Sequence, residues 1–362
     1  MKKAISILLS LITLFSFCGC EKKKSKLELK DIKSPVEIYT KKQKAYLNDS
    51  YDNVSLYTDS SRDDIPQGVK FSWQWNDTEK VEEFIIKVSK TNDFEVAITE
   101  RTKRNHIELY NFEPATKYYW YVTAIQGENE VKSDIKEFTT ANGTTRFINC
   151  EGIKNMRDIG NYKTVDGKTV NIGLIYRCGQ LNKLNTTDKL ITQDGLITMR
   201  RLGIKTEIDL RTQETAVINR SYIENASYHL IPIRGSNDKN PANLFEKNSY
   251  ELVKLMEILG NKDNYPMIIH CAGGADRTGF VCYTLEALLG MSKEDCIRDY
   301  LLTNFAVDAT TSARVYSAIE NDYISGYDNC KGSTLSEKVE NHLLDLGAKK
   351  SDIDNFKSIM LK

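Results

Sequence analysis

The sequence has few histidines, few prolines and no excess of charge of either sign. Its 362 residues include only four His (His106, His229, His270, His342), spread too widely for a multi-histidine metal centre. Six Pro and 40% apolar residues exclude a disordered or fibrous chain. Lys+Arg and Asp+Glu are each 50, and zero formal net charge supplies no general attraction to nucleic acid. The eight Cys are scattered, without a CxxC pair, which leaves out a zinc ribbon and a thioredoxin motif. Beyond the first twenty residues no apolar run reaches spanning length. The length corresponds to roughly two domains, each large enough to bury a core.

The chain opens with Met1-Lys-Lys, an apolar run over 4–17, and Cys18-Gly19-Cys20. A basic start followed by an apolar run shorter than the ~20 residues of a spanning helix predicts an export signal over 1–20. Gly19 before Cys20 resembles the lipobox of bacterial lipoproteins, which implies cleavage there and acylation of Cys20. The protein is therefore expected to be exported and lipid-anchored to a bacterial membrane, periplasmic or at the cell surface, with ~0.8 kcal/mol gained per buried acyl carbon. Residues 21–34 are rich in Lys and Glu and read as a solvated linker.

Alternation then begins. Val69-Lys-Phe71-Ser-Trp73-Gln-Trp75, the apolar run within 84–88, and 119–124 each predict a strand, with turn-like breaks between them. Leu109, Pro114, Tyr118, Trp120, Ser133 and Phe138-Thr-Thr140 resemble the second half of a fibronectin type III domain, with Trp73 or Trp75 as its core tryptophan. The resemblance covers 35–141 and implies a β-sandwich, expected to be a spacer or a protein-binding module. His106 stands alone in a polar stretch, with no ligand role expected.

The chemistry lies further on, in Tyr265-Pro-Met-Ile-Ile-His270-Cys271-Ala272-Gly273-Gly274-Ala275-Asp276-Arg277-Thr278-Gly279-Phe280. The apolar run 267–269 predicts a buried strand, the glycines a tight loop, and 281–289 an apolar-faced helix. Amides of a compact loop at a helix N-terminus converge on one point and bind a phosphate-sized anion. Cys271 at the loop's start shares that positive field, which favours a nucleophilic thiolate. Arg277 is placed to close the ring and grip two phosphoryl oxygens with its planar fork, which Lys lacks.

His-Cys, five residues, then Arg-Thr-Gly resembles the signature of the protein tyrosine phosphatase superfamily, and the fuller string its bacterial branch. Other segments of that branch recur in order: Asn155-Met-Arg157-Asp158-Ile-Gly160, Gly173-Leu-Ile-Tyr176-Arg177-Cys178-Gly179-Gln-Leu181, and Ile208-Asp209-Leu-Arg211-Thr-x-x-Glu214. Two helical patterns around Leu346-Gly347 complete a resemblance over 145–362. It implies an α/β domain with a central, mostly parallel sheet flanked by helices, and a double displacement through a cysteinyl-phosphate that needs no metal or other cofactor. In that reading Cys271 attacks, Arg277 and the loop Ala272, Gly273, Gly274, Ala275, Thr278 and Gly279 bind the phosphoryl group, and Thr278 assists the thiolate's departure. Asp276 is the first choice for general acid, with Asp209 either the alternative acid or a structural partner of Arg211 or Arg157; Asp158 is structural, and His270 orders the loop or serves as acid.

Ala275 stands where the branch has Lys, which removes a cation suited to multiply phosphorylated lipid heads. The expected substrate is therefore a phosphotyrosyl or phosphoseryl protein, with phosphoinositide and inositol polyphosphate as rivals. An inactive phosphate-binding or adhesion module is the reading from another class. Cys178 borders the pocket in relatives, and a protective disulfide with Cys271 competes with a buried thiol there; Cys296 and Cys330 are a candidate pair, and Cys282 belongs to the core. The polar stretch 141–145 reads as a short hinge between the two domains.

Overall fold

The structure, a computed structural model, describes residues 26–59, 61–234, 247–307, 313–316 and 325–362. The leader 1–20 and its Cys20 lie outside the described residues.

Two antiparallel sheets build the N-terminal half. One joins β1 (Leu27–Leu29), β2 (Val69–Trp75) and β5 (His106–Leu109); the other runs β4 (Ala97–Thr102), β3 (Glu83–Ser89), β6 (Lys117–Gln126), β7 (Asn129–Lys132), with β8 (Lys136–Thr139) also on β6. Alternation in β2 buries Val69, Phe71 and Trp73 and exposes Lys70 and Gln74, the period-2 pattern of a half-buried strand. Phe71 meets Trp120 and Phe138 with ring centroids 5.0 and 5.6 Å apart, and Trp73 meets Phe84 at 5.3 Å, so the inner faces of the two sheets share one aromatic core. Trp73, like Trp120, is buried in this core, whereas Trp75 is half-buried and donates Nε1–H to Glu79 O.

Two features depart from the sequence reading. Leu27 and Leu29 are buried in β1, so the expected linker 21–34 is already part of the sheet from residue 27. Three residues are too short a run for alternation to stand out among lysines. Between β1 and β2 lies helix α1 (Lys41–Leu47), opened by a Thr40/Gln43 capping box, and a 3₁₀ turn, Tyr51–Leu56.

The C-terminal half is a six-stranded sheet in the order β13 (Ser227–Leu230), β12 (Thr206–Asp209), β14 (Met267–His270), β11 (Ile175–Cys178), β10 (Arg157–Asp158), β9 (Arg146–Phe147). The first four strands are parallel and the last two antiparallel, as expected for a mostly parallel sheet. β14, buried along its whole length, is flanked by β12 and β11. Its side chains alternate between two cores: Ile268 packs with Met199 of helix α2 (Gln193–Arg201), while Met267 and Ile269 join the apolar residues of helices α3 (Ser249–Leu259) and α4 (Asp276–Leu288). Helices on both faces are what an all-buried parallel strand requires. Helix α5 (Lys293–Leu301) follows α4, and α6 (Leu335–Asp345) and α7 (Lys350–Met360) pack on α4 and α3. Among the described residues no helix is long and apolar enough to cross a membrane.

The hinge 141–145 is tied down. Ala141 N–H donates to Val36 O, Tyr39 Oη–H to Thr145 O at 2.8 Å, and Asn161 Nδ2–H to Gly143 O at 2.7 Å. The α1 insertion also touches the second half: the Tyr46 ring meets Phe305 at a tilt, with ring centroids 5.7 Å apart, and its carbonyl accepts from Arg298.

Candidate active site

The parallel strands end together, with Cys178, His270 and Asp209 side by side in register. Beyond this carboxyl edge, where open α/β sheets bind ligands, the chain turns through Cys271, Ala272, Gly273, Gly274 and Ala275 into α4. Cys271 is 3% exposed, at the loop's floor. Gly274 has φ +65°, and a Cβ there would lie 2.3 Å from Cys178 O, so the turn requires glycine. A Cβ on Gly279 would come within 2.6 Å of the Tyr300 ring, so glycine lets α4 approach α5.

Ala275 O accepts the first helical bond, from Gly279 N–H at 2.7 Å. Among the described residues the N–H groups of Gly273, Gly274 and Ala275 donate to no protein acceptor. Three amide donors beside a thirteen-residue helix's positive end form an anion cradle. The Thr278 hydroxyl is buried beside them without a hydrogen-bond partner, and Arg277 is half-buried on the first turn. A cleft of about 380 Å³ opens over this loop, lined by Ala272, Gly273 and Ala275 together with Lys154, Gln180 and Arg314. A second cleft, of about 420 Å³, lies against β4 and α2, and no sequence-predicted site residue lines it.

The loop's outer side is held by buried charge. Asn155 Nδ2 donates to Gly273 O (3.2 Å), Gly274 O (3.0 Å) and Thr303 Oγ1 (3.2 Å); Arg177 Nη2 donates to Gly274 O at 2.9 Å. Asp299 bridges Arg157 (2.8 Å) and Arg177 (2.5 Å), all three at most 1% exposed. Burial works against the Asp299 charge, but the two guanidiniums outweigh it and hold the carboxyl below its usual range. Burial, reinforced by nearby Asp299, drives the Glu286 carboxyl well above its usual value.

His270 lies beneath the loop, with Nε2 3.0 Å from Glu207 Oε1 and Nδ1 3.3 Å from Cys271 O. Burial opposes its charge, yet Asp209 and Glu207 raise its pKa above the ordinary histidine value. Glu207, Asp209 and His270 bring their ligand-type atoms within 4.8 Å of one another. Each carboxylate is otherwise engaged, Asp209 by Arg211 and Tyr228 and Glu207 by Ser221, so the trio reads as a closed hydrogen-bonded cluster that orders the loop.

These contacts separate the two candidate acids. Asp209 is fully buried, paired with Arg211 at 2.6 Å and held below the carboxylate range: burial raises its pKa, and His270 and Arg211 more than reverse that. In this structure it is the ion-pair partner of Arg211. Asp276 is half-buried at the start of α4, and Arg314 grips both its oxygens at 2.8 Å while Tyr300 lies 3.3 Å away. Burial again pushes upward, but Arg314 prevails and Asp276 is held ionised. Asp158, its oxygens bonded to Gly160 N–H and Gly173 N–H, is pushed up to about 6, mainly by burial.

Of the two readings at Cys178 the buried thiol is the one present, and the candidate pair Cys296 and Cys330 is not formed: Cys178, Cys271, Cys296 and Cys330 are all free. Cys178 and Cys296 are buried thiols, and burial pushes Cys282 in the core of α4 up to about 12. Sequence reasoning missed Asp299, Lys154, Thr303 and Arg314, and left Asn155 without a role. Only Asn155 carried a signal, inside its motif.

A sequence model of the tyrosine phosphatase family matches residues 148–350, more than half of the chain. The core catalytic domain of the PP-IP phosphatase SIW14 from S. cerevisiae, in complex with citrate, is 21% identical, with 50% of this chain and 88% of that one covered and a TM-score of 0.30. A second structure of the Siw14 catalytic core gives 20% identity over the same shares, also at 0.30. A myokine structure is 22% identical, covering 21% of this chain and 84% of its own, at a TM-score of 0.19. With overlaps this low, the assignment rests on the family match. The chain belongs to the tyrosine phosphatase family and is a phosphoric monoester hydrolase.

Proposed function

We propose that the protein hydrolyses phosphotyrosyl or dual-specificity protein substrates through a cysteinyl-phosphate on Cys271. The observation that carries this reading is one arrangement: Cys271 opens a loop whose amides lack internal partners, between a buried parallel strand and a helix N-terminus bearing Arg277. In the first step the Cys271 thiolate attacks phosphorus and the ester P–O bond breaks, with Asp276 giving its proton to the leaving oxygen. In the second, water attacks phosphorus, the S–P bond breaks, and Asp276 takes the proton. Arg277 and the amides of Gly273, Gly274 and Ala275 balance charge on the equatorial oxygens. The Thr278 hydroxyl is available to the departing thiolate. Asp276 must first be released from Arg314 and protonated to serve as acid.

A second substrate reading, inositol phosphate or phosphoinositide, is favoured by Lys154 and Arg314 on the cleft wall, which restore some of the cationic character lost with Ala275. The test is turnover of phosphotyrosine peptide, phosphoinositide and phytate in chelator, beside Cys271→Ser. Activity on the peptide that the variant abolishes supports the reading; preference for the inositol substrates moves the protein to the second; no turnover of any monoester leaves only an inactive phosphate-binding module.

The N-terminal half is proposed to be a fibronectin type III-like sandwich that binds a protein or spaces the enzyme from a membrane. A Tyr118 hydroxyl accepting Glu113 N–H at 2.9 Å supports that reading as the tyrosine corner of such domains. Export and acylation at Cys20 complete the proposal; retention on membranes by Cys20→Ala would overturn the anchor.

A further inference from the structure

The N-terminal half reaches the phosphate loop through one buried carboxylate. Asp64 lies between α1 and β2 and is 4% exposed. Its Oδ2 accepts the Asn155 backbone N–H at 2.6 Å, and its Oδ1 accepts from Arg62 Nε at 2.6 Å. Arg62 Nη2 donates in turn to Ile153 O at 2.6 Å. Two neighbouring side chains of the first half thus grip the backbone on either side of Lys154, whose carbonyl accepts Gly179 N–H and which lines the cleft.

What they grip is a strained joint. Asn155 has φ +57°, a left-handed conformation that Asn tolerates better than most residues but that still needs support. Its side chain is 1% exposed and holds the carbonyls of Gly273 and Gly274. In a trans peptide the C=O and the following N–H point opposite ways. Drawing those two carbonyls outward therefore turns the Gly274 and Ala275 N–H groups inward, on the side away from Asn155. Those N–H groups belong to the anion cradle.

We propose that Asp64, with Arg62, is a positioning residue for phosphoryl binding: the first half of the chain sets Asn155, and Asn155 aims the loop amides. Asp64 touches no substrate. The proposal rests on the reading that the loop opened by Cys271 binds the phosphoryl group. It makes the N-terminal half a working part of the enzyme in addition to any role as spacer.

The test uses the full chain, inhibition by inorganic vanadate as a phosphate analogue, and steady-state kinetics on a phosphotyrosine peptide. A hydrogen bond to a buried charge is worth enough to change affinity on the order of tenfold, so Asp64→Ala is expected to weaken vanadate inhibition by about that factor and to lower kcat more than it raises KM. Asp64→Asn keeps an oxygen for Asn155 N–H and is expected to recover most of the loss. Tyr39→Phe removes another bond between the halves, to Thr145 O, without a path to the loop, and is expected to leave vanadate inhibition unchanged. Should Asp64→Ala fail to fold, Arg62→Ala removes the second half of the grip and is expected to weaken vanadate by roughly threefold. Folded Asp64→Ala, or Arg62→Ala in its place, with wild-type vanadate inhibition overturns the proposal, as does an equal loss in Tyr39→Phe. A wild type that neither turns over nor responds to vanadate instead removes the phosphoryl-binding reading itself, and this proposal with it.

Discussion

The two halves of the chain bury different chemistry. Between the N-terminal sheets lie Phe71, Trp73, Trp120 and Phe138, aromatic rings held by area and shape. Under the loop opened by Cys271 lie Arg157, Arg177, Arg211, Asp209, Asp299, Glu207 and His270, none of them more than 1% exposed. Apolar burial is non-directional, at roughly 25 cal/mol per Å², so such a core tolerates exchange of one apolar group for another. A buried charge must meet its partner or be lost, so the second core specifies positions to within a hydrogen bond. The first core holds a module together; the second holds five residues of loop in one shape.

The sharpest way to break this contrast is a nearly isosteric change in the charged core. Asp299→Asn leaves Arg157 and Arg177 without a counter-charge and should cost about 3–5 kcal/mol in urea unfolding, with activity falling as Arg177 lets go of Gly274 O. A loss below 1 kcal/mol would mean the cluster relaxes as an apolar core does.

Next in size is a pH-dependent effect at Glu207. The raised pKa of His270 contributes stability that is fully present below its unfolded value, ~6.5, and is lost as pH rises through the folded value. Glu207→Gln should therefore destabilise by about 2 kcal/mol at pH 6 and by less at pH 9. A pH-independent difference in urea midpoint would assign the loss to packing.

In the aromatic core, Phe71→Leu exchanges one apolar side chain for another and should cost about 1.5 kcal/mol, with kcat unchanged. A fall in kcat beyond twofold would show that the sheets transmit strain to the loop.

The smallest effect on stability belongs to the half-exposed pair of Arg314 and Asp276, about 0.5 kcal/mol or less for Arg314→Gln. Its signature is kinetic. Arg314 holds Asp276 below the carboxylate range, and an acid works while protonated, so its release should move the alkaline fall of the kcat profile to higher pH. No movement would take the acid role from Asp276.

Much of this was legible in the chain. Alternation located β2, β3 and β6, and the apolar run 267–269, the glycines and the apolar run 281–289 located β14, the loop and α4. β1 escaped because three residues carry no readable period, and α1 because it interrupts an otherwise all-strand pattern. Around the candidate site, the placement of Cys271 and Arg277 on one strand–loop–helix unit was legible because those elements are contiguous. The Asp209 pairing with Arg211 was legible for the same reason, two residues apart.

The sequence by itself determined the place of the Cys271 loop in the chain, since turn chemistry, apolar run length and a cysteine next to a helix start are local properties. The tertiary structure alone decided what holds the loop in shape. Asp299 meets Arg157 and Arg177 across 142 and 122 residues, and Asp64 meets Asn155 across 91. A buried charge is chosen by the partner that desolvation obliges it to find, and over such separations no period or spacing records which partner that is.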